Sequence, residues 1–391
     1  MKNSQPIWTK GFILITVVNL LIFCGFQMLL PTLPIYMKSL GGTNAAIGWI
    51  AGLSTIASLI VRPFSGTALD KLGRKGVLLS GILIIMLATL AYMCFPIVGV
   101  ILAVRLLHGV GWGMASTASN TVATDVIPKA RFGEGMGFFS LSTSLAMALA
   151  PGIGLFILAR SHIQGLVLVS IGFAAIGLII SFFIPYKKVE GKGVSGKEVS
   201  GKVNPYERTA VKPSIVMFFI CVTYGSITGF ITLFAMECGI ENIGIFFMVF
   251  AAAMVISRPI FGKLVDKLGF NIAVYPGLIA LAVSMVILQG SSSLLSFLIV
   301  AFLYGVGFGA LQSSLQTLSV IKAPKERLGA ANATFFTGFD GGIGFGSILA
   351  GIVSASMGYS RMYLVFTIFL IVSAVLYFFL IGKNMKNIKT A

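Results

Sequence analysis

Apolar segments about as long as a bilayer is thick recur along the whole chain, and this feature constrains the fold most. A transmembrane helix needs about 20 predominantly apolar residues. Hydrophobic residues make up 57% of the 391 positions and charged residues only 10%, whereas soluble domains carry about 25% charged residues. A soluble chain would need more polar surface to cover its core. The sequence therefore predicts an all-α membrane protein and not a soluble enzyme.

Twelve such segments are present, and each is predicted to be a transmembrane helix. They are continuously apolar and lack the period-two alternation of barrel strands, which favours helices over a β-barrel. The first segment is too long for a cleavable signal peptide and is expected to stay as the first span. The predicted spans are 11–37, 44–65, 77–95, 97–126, 135–158, 163–185, 213–236, 243–261, 271–290, 294–321, 330–357 and 361–382.

The net charge of +17 is distributed unevenly between the loops. Lysine and arginine concentrate at the termini, in alternate loops and in the central segment 186–212, and the other loops hold few of them. This bias is the positive-inside pattern, which predicts a multi-pass protein of the cell membrane with both termini in the cytoplasm. Anionic lipid headgroups are the expected partners of these cations, so no nucleic-acid partner is needed to explain them.

An internal repeat divides the chain into two halves. Residues 62–73 (RPFSGTALDKLG) align with 258–269 (RPIFGKLVDKLG) at an offset of 196, and the same offset aligns HGVGWG at 108–113 with YGVGFG at 304–309. One register across separated segments indicates a duplication.

The duplication predicts two pseudo-symmetric six-helix bundles, at 1–185 and 213–391. The segment 186–212 between them is rich in Gly, Lys and Ser. Such a composition cannot form a packed core, so we expect a flexible, basic cytoplasmic linker.

Three motifs resemble those of one transporter family. Residues 66–75 (GTALDKLGRK) resemble the loop signature of the major facilitator superfamily, and 105–111 (RLLHGVG) resemble the fourth-helix motif of its proton-coupled members. Residues 150–154 (APGIG) are similar to its antiporter motif, including Pro151 and Gly154, with alanine where glycine is usual. Two parallel six-helix repeats are also typical of this superfamily. The resemblance implies its fold and, within it, the 12-helix drug:proton antiporter group.

The resemblance also implies a cytoplasmic charge latch formed by Asp70, Arg74 and Asp125, which steadies one state of the transport cycle. Arg74 is expected to form a bidentate pair with Asp125. Gly66 and Gly73 are expected to allow the tight turn between two helices. Solvation of an ordinary loop, with topology control, is the plainer alternative.

Asp340, Arg105 and His108 are the predicted proton-coupling residues. Asp340 lies near the middle of its span, where an unpaired carboxyl group tends to hold a proton. A charge at membrane depth is by default functional, and histidine titrates near neutral pH. The alternatives are a protonated acid that donates one structural hydrogen bond, an arginine that caps carbonyls, and a structural histidine. The first span contains no acid, so Asp340 is expected to take more of the proton-carrying role.

Amide side chains within the predicted spans are candidates for lining a polar substrate cavity, although buried amides also form hydrogen bonds between helices. These amides are Asn19, Gln27, Asn120, Gln312, Gln316 and Asn332.

Nucleotide and metal chemistry are not expected. The glycines at 109–113 and 305–309 lie inside apolar helices with no preceding strand, and GxxxxGK[ST] is absent from the sequence. The four cysteines show no metal-type spacing. No cofactor and no metal are therefore predicted.

The predicted function is proton-coupled export of a small amphipathic or drug-like molecule, by a monomer. A proton-coupled uptake symporter for a metabolite such as a sugar or organic acid is the first alternative. A receptor or assembly protein without transport is the second, and the buried charges argue against it.

Overall fold

The computed structural model describes residues 6–71, 73–128, 131–186, 206–240, 242–324 and 327–383. Within these ranges it contains ten α-helices, each long and apolar enough to cross a membrane. They are α1 (Lys10–Ser39), α2 (Asn44–Lys71), α3 (Arg74–Cys94), α4 (Val98–Val126), α5 (Phe132–Ser181), α6 (Arg208–Glu237), α7 (Gly244–Leu268), α8 (Asn271–Gln289), α9 (Leu294–Ile321) and α10 (Leu328–Leu380).

The helices follow the apolar segments because backbone groups in lipid must form their hydrogen bonds within the helix. Polar side chains mark several starts: Thr9 accepts a hydrogen bond from the backbone N–H of Phe12 at the start of α1, and Ser293 forms a capping box at the start of α9. The predicted span 294–321 coincides with α9. Helix boundaries were therefore largely readable from hydropathy.

The predicted linker is shorter than expected at its second end. Helix α6 begins at Arg208, where the Glu207 side chain accepts a hydrogen bond from the backbone N–H of Thr209, so residues 208–212 are helical. Positions 187–205 of the predicted linker lie outside the described residues.

Helices α5 and α10 each contain a break. Helix α5 has 50 residues and α10 has 53, so a straight helix would be about 75 Å long, more than twice the hydrocarbon thickness of about 30 Å. The backbone leaves helical geometry at His162 (φ 54°, ψ −164°) and at Gly358 (φ 79°, ψ 170°). Each helix therefore consists of two segments that meet at a sharp turn, and the two breaks are 196 positions apart.

Helix packing repeats with the same offset of 196. A Cβ atom on Gly111 of α4 would lie 2.9 Å from the backbone oxygen of Gly81 in α3, and one on Gly307 of α9 would lie 2.7 Å from that of Gly277 in α8. The glycines at 109–113 and 305–309 thus allow close helix contact, as their position inside apolar segments indicated.

Helices α1–α5 pack chiefly against one another, as do α6–α10. We call these sets the first and second groups. They meet where α2 packs against α10, α5 against α7 and α1 against α6. We call the end of the helices that carries Lys10, Arg74, Lys267, Lys322 and Lys383 the basic end.

The buried core differs between the two ends. Away from the basic end, residues of α1 such as Met28 and Leu33 belong to one continuous core with α6–α10. Toward the basic end, Phe12 and Val18 of α1 belong to a separate core, shared with Val77 and other residues of the first group. The two groups are therefore packed together at the opposite end and separated at the basic end.

Candidate functional site

An ion pair joins the two groups of helices. The Nη2 of Arg62 in α2 donates to the Oδ2 of Asp340 in α10 at 2.5 Å, and the two side chains are 20% and 22% exposed. The expectation that Asp340 is unpaired is therefore wrong. The carboxylate and guanidinium compensate each other's charge, as charges at membrane depth require.

Sequence reasoning did not identify Arg62 as a site residue. It belongs to the repeat at 62–73, which was considered for its glycines and its loop charges. Its depth was the available signal, since Arg62 lies nine positions before the end of α2 at Lys71, about 13 Å along the helix. A cation so far from the helix end needs a partner in the protein.

The pair lies at the basic-end limit of the α2–α10 interface. Farther from the basic end, a Cβ atom on Gly48 would lie 2.6 Å from the backbone oxygen of Ser347. One turn beyond Arg62, a Cβ atom on Gly66 would meet nothing within 4 Å. Asp340 and Arg62 thus interact where the two groups begin to separate.

Arg105 lies buried in the first group, between α4 and α2. Its Nε donates to the backbone oxygen of Ile50 at 2.7 Å and its Nη2 donates to the Oγ of Ser54 at 2.8 Å. The guanidinium carbon lies 5.4 Å from the centre of the Phe26 ring. Within the described residues, its Nη1 is buried without a hydrogen-bond partner.

His108 is also fully buried, one turn beyond Arg105. Its Nδ1 lies 3.1 Å from the Tyr92 hydroxyl, and among the described residues its Nε2 has no partner. Buried polar atoms are nearly always hydrogen-bonded. The imidazole of His108 can therefore bind a proton or water, and the Nη1 of Arg105 can donate a hydrogen bond to water or a ligand group.

Two of the three residues of the predicted latch, Arg74 and Asp125, are in contact. Arg74, at the start of α3, donates from Nε to the Oδ2 of Asp125 at 3.0 Å and from Nη1 to the backbone oxygen of Leu69 at 3.1 Å. The side chain of Asp70 lies outside the described part of the chain. All these residues belong to the first group, so the described contacts of Arg74 connect α2, α3 and α4 and do not bridge the two groups.

The two latch glycines have different surroundings. Gly73 caps α3 with φ 86°, which favours glycine, and Gly269 has nearly the same geometry at φ 84°. Gly66 instead lies inside α2 with open space beside it. The turn between α2 and α3 therefore requires glycine at position 73, because the backbone there has a positive φ. Gly66 has helical geometry, so the turn does not explain a glycine at that position.

The predicted cavity amides of the first group have separate contacts. Asn19 donates to the hydroxyls of Ser142 and Thr143 at 2.9 and 3.0 Å, which joins α1 to α5. Asn120 donates to the backbone oxygen of its own helix. The Oε1 of Gln27 is buried without a partner among the described residues.

The predicted amides of the second group form two contacts. Gln312 of α9 accepts a hydrogen bond from the Nη2 of Arg258 in α7 at 2.6 Å. Gln316 donates to Asn332 at 3.3 Å, between α9 and α10. The hydrogen bonds described here do not connect these six amides into one cluster.

The antiporter-like motif brings α5 against two neighbours. A Cβ atom on Gly154 would lie 2.8 Å from the backbone oxygen of Met28 in α1, so this close contact requires glycine. Pro151 is buried within α5. A Cβ atom on Gly152 would lie 3.5 Å from the Met248 side chain in α7.

Within the described residues, no group of three or more His, Cys, Asp or Glu side chains lies close enough to hold a metal ion. The four cysteines are free thiols.

Comparison with known proteins gives one family match. The family model described as Major Facilitator Superfamily matches residues 15–343. An uncharacterised MFS-type transporter from Methanocaldococcus jannaschii is 26% identical over 388 residues, covering 96% of this chain and 97% of that protein. The quinolone resistance protein NorA of Staphylococcus aureus is 30% identical over only 142 residues, 36% of this chain and 37% of NorA.

A solved structure shares the fold. A bacterial homologue of the human lysosomal transporter Spinster, in an inward-facing and unoccupied conformation, superposes with a TM-score of 0.76 at 14% identity, covering 96% of this chain and 97% of that chain.

Proposed function

The chain belongs to the Major Facilitator Superfamily, and from this premise we propose that it exports a small amphipathic or drug-like molecule in exchange for protons. The molecule binds between the two groups of helices, which expose it alternately to the two sides of the membrane. Membership of this family makes the chain a multi-pass membrane transporter.

The proposed architecture has twelve spans in two six-helix bundles. Counting the segments on either side of His162 and of Gly358 as separate spans raises the ten helices to twelve. The offset of 196 between the two breaks supports two equivalent halves, with the first and second groups as the bundles.

The proposed orientation has the basic end in the cytoplasm, with both termini there, because basic residues favour the cytoplasmic side. Anionic lipid headgroups then neutralise the surface cations. The separation of the two groups at the basic end opens the transporter toward the cytoplasm. A cytoplasmic molecule loads from this side, which suits export. The protein acts as a monomer with protons and a small molecule as its partners.

The observation that carries proton coupling is the Arg62–Asp340 pair between α2 and α10. An ionised Asp340 holds the two helices together through a charge-assisted hydrogen bond. Protonation removes the negative charge and weakens the pair, so that α2 and α10 can separate. A proton taken up on one side and released on the other would thus be linked to movement of the two groups. Arg105 and His108 are the secondary candidates, with one free buried nitrogen each among the described residues.

Two observations favour export of a drug-like molecule. The segment 150–154 resembles the antiporter motif of the family. The partial similarity to NorA, a quinolone resistance protein, points in the same direction.

The experiment uses everted membrane vesicles energised by respiration. A panel of lipophilic cations, antibiotics and sugars is added, and collapse of the pH gradient is recorded for the wild type and for Asp340→Asn. We expect certain compounds to collapse the gradient in wild-type vesicles and to have no effect in the variant. Glu237→Gln, which neutralises an exposed acid at the opposite end, is the matched control and should behave as wild type.

Two outcomes would each overturn one part of the proposal, the first the role of Asp340 and the second the direction of transport. Equal activity of Asp340→Asn and wild type would assign Asp340 a structural role and move coupling to Arg105 or His108. Absence of any effect in everted vesicles, combined with substrate-driven alkalinisation outside right-side-out vesicles, would establish uptake instead of export.

A further inference from the structure

Arg258 is a third arginine within the membrane-spanning part, after Arg62 and Arg105, and like Arg105 it has no acidic partner among the described residues. It lies on α7, where its Nη2 donates to Gln312 at 2.6 Å and lies 3.8 Å from the sulfur of Met254. Its Nε is buried and has no acceptor in the part of the chain that the structure describes. A neutral amide oxygen and a thioether compensate a positive charge poorly. Burial of a charge without a counterion is unfavourable, so this arrangement calls for an explanation.

The repeat provides the comparison. Arg258 corresponds to Arg62 at the offset of 196, and Arg62 has Asp340 as its counterion. The position that corresponds to Asp340 is 144, because 340 minus 196 is 144, and Ser144 stands there. Its hydroxyl donates to the backbone oxygen of Ser140 in its own helix. The second copy thus keeps the cation and lacks the anion.

Arg258 also lies beside the opening between the two groups. Helices α5 and α7 contact each other near Gly152 and Met248. Arg258 is ten residues farther along α7 than Met248, about 15 Å toward the basic end. Its side chain is only partly buried, so a ligand that enters from the basic end can reach it.

We propose that Arg258, oriented by Gln312, binds a carboxylate or a comparable anionic group of the transported molecule. The guanidinium has a planar donor arrangement that matches a carboxylate. The described contacts with Gln312 and Met254 involve only its Nη2, so donor hydrogens of this partly exposed side chain remain for a ligand. Gln312 fixes the position of the Nη2 end of the guanidinium. The ligand supplies the anion that Asp340 supplies to Arg62. This inference builds on the proposed function and narrows the substrate to an amphipathic organic anion.

The test measures binding to the purified full-length protein in detergent micelles. The probes are 1-naphthoate and a small panel of other aromatic monocarboxylates, each compared with its uncharged amide of nearly the same shape. We expect at least one acid to bind the wild type at least about tenfold more tightly than its amide. Arg258→Gln should remove this preference, and Arg258→Lys should keep part of it because a point charge remains. Lys263→Gln, which removes an exposed cation from the same helix, should leave the preference unchanged.

The inference is overturned if no acid binds the wild type more tightly than its amide, or if Arg258→Gln keeps the preference. Its failure can be distinguished from failure of proton-coupled export. Proton exchange with lipophilic cations alone, without a preference for carboxylates in the binding assay, would support the proposed function and contradict the anion site. Carboxylate binding that depends on Arg258, without any proton flux in vesicles, would support the anion site and contradict the proposed function.

Discussion

Two arginines at equivalent positions of a duplicated sequence have different partners in this protein. Arg62 pairs with the carboxylate of Asp340, whereas Arg258 contacts the amide of Gln312. An ionised pair within the membrane can respond to protonation, and an amide cannot. The duplication therefore kept two cations and gave them different chemistry, one suited to protons and the other to an anionic ligand.

Stability and coupling should respond differently when the Arg62–Asp340 pair is altered. Arg62→Gln leaves a partly buried carboxylate without its cation and should lower the free energy of unfolding by about 1–3 kcal/mol. The double variant Arg62→Gln with Asp340→Asn removes both charges and should recover most of that loss, yet it should stay inactive in proton exchange. Thermal unfolding and vesicle pH-gradient assays measure the two effects. If the double variant is as unstable as the sum of the single variants, the two residues do not interact.

At the scale of helices, the breaks in α5 and α10 are equivalent in sequence but occupied by different residues. His162 adopts φ 54°, while Gly358 adopts φ 79°. A positive φ is unfavourable for a residue with a Cβ atom and costs nothing comparable for glycine. The first break is therefore expected to be strained and the second relaxed.

Substitutions at the two breaks should have opposite effects. His162→Gly should stabilise the protein by about 1 kcal/mol, because relief of backbone strain exceeds the added entropy of glycine in the unfolded chain. Gly358→Ala should destabilise it by a similar or larger amount, although a Cβ atom there meets nothing within 4 Å. Thermal unfolding in detergent should show shifts of about 1 to 3 °C in opposite directions. A destabilised His162→Gly variant would mean that the histidine side chain contributes more than its strain costs.

The start of α6 is attached to α10 by an ion pair outside the membrane spans. Glu207 accepts a hydrogen bond from the Nε of Arg327, and its backbone N–H donates to Thr334 at 2.9 Å. The hydrogen bond from Arg327, with that from the backbone of Thr209, lowers the pKa of Glu207 below its usual value. A lowered pKa in the folded state means that the pair stabilises the fold above the unfolded pKa and loses this effect as the pH falls through the folded pKa.

The stabilising effect of Glu207 should therefore depend on pH. Wild type should melt at a higher temperature than Glu207→Gln at neutral pH, and the difference should shrink as the pH falls from about 6 to about 3. Lys212→Gln, an exposed charge on α6, serves as the control and should show no such dependence. A constant difference between wild type and Glu207→Gln would mean that the charge of Glu207 does not matter.

For the whole molecule, hydropathy was sufficient to predict an all-helical membrane fold. Apolar length determines where helices form in lipid, and the offset of 196 recurs in the Gly73 and Gly269 turns and in the two breaks. The Arg74–Asp125 contact was also expected from the motif. The Arg62–Asp340 contact was not predicted from the sequence, because the two residues are 278 positions apart. How α2 and α10 align against each other depends on packing between the two groups, which hydrophobic periodicity does not specify.

Separation of the two groups at the basic end predicts where they can be cross-linked. In a variant whose four cysteines are replaced, Leu155→Cys and Gly244→Cys would place one cysteine on α5 and one on α7 at the opposite end. A Cβ atom on Gly244 lies 3.9 Å from that of Leu155, within the range of about 3.5–4.5 Å for disulfides. This pair should oxidise readily, and the bond should stop transport because alternating access requires the opposite end to open. A reductant should restore transport.

Leu145→Cys with Val255→Cys is the matched pair, since it lies on the same two helices nearer to the basic end. Both native side chains are well exposed, at 43% and 50%, so these cysteines should cross-link more slowly than the pair at 155 and 244. Mass spectrometry of the oxidised protein measures both yields, and single-cysteine variants report background oxidation. Faster cross-linking at 145 and 255 would mean that the groups meet at the basic end instead. Full transport by the cross-linked 155–244 protein would mean that substrate moves without opening of the opposite end, contrary to alternating access.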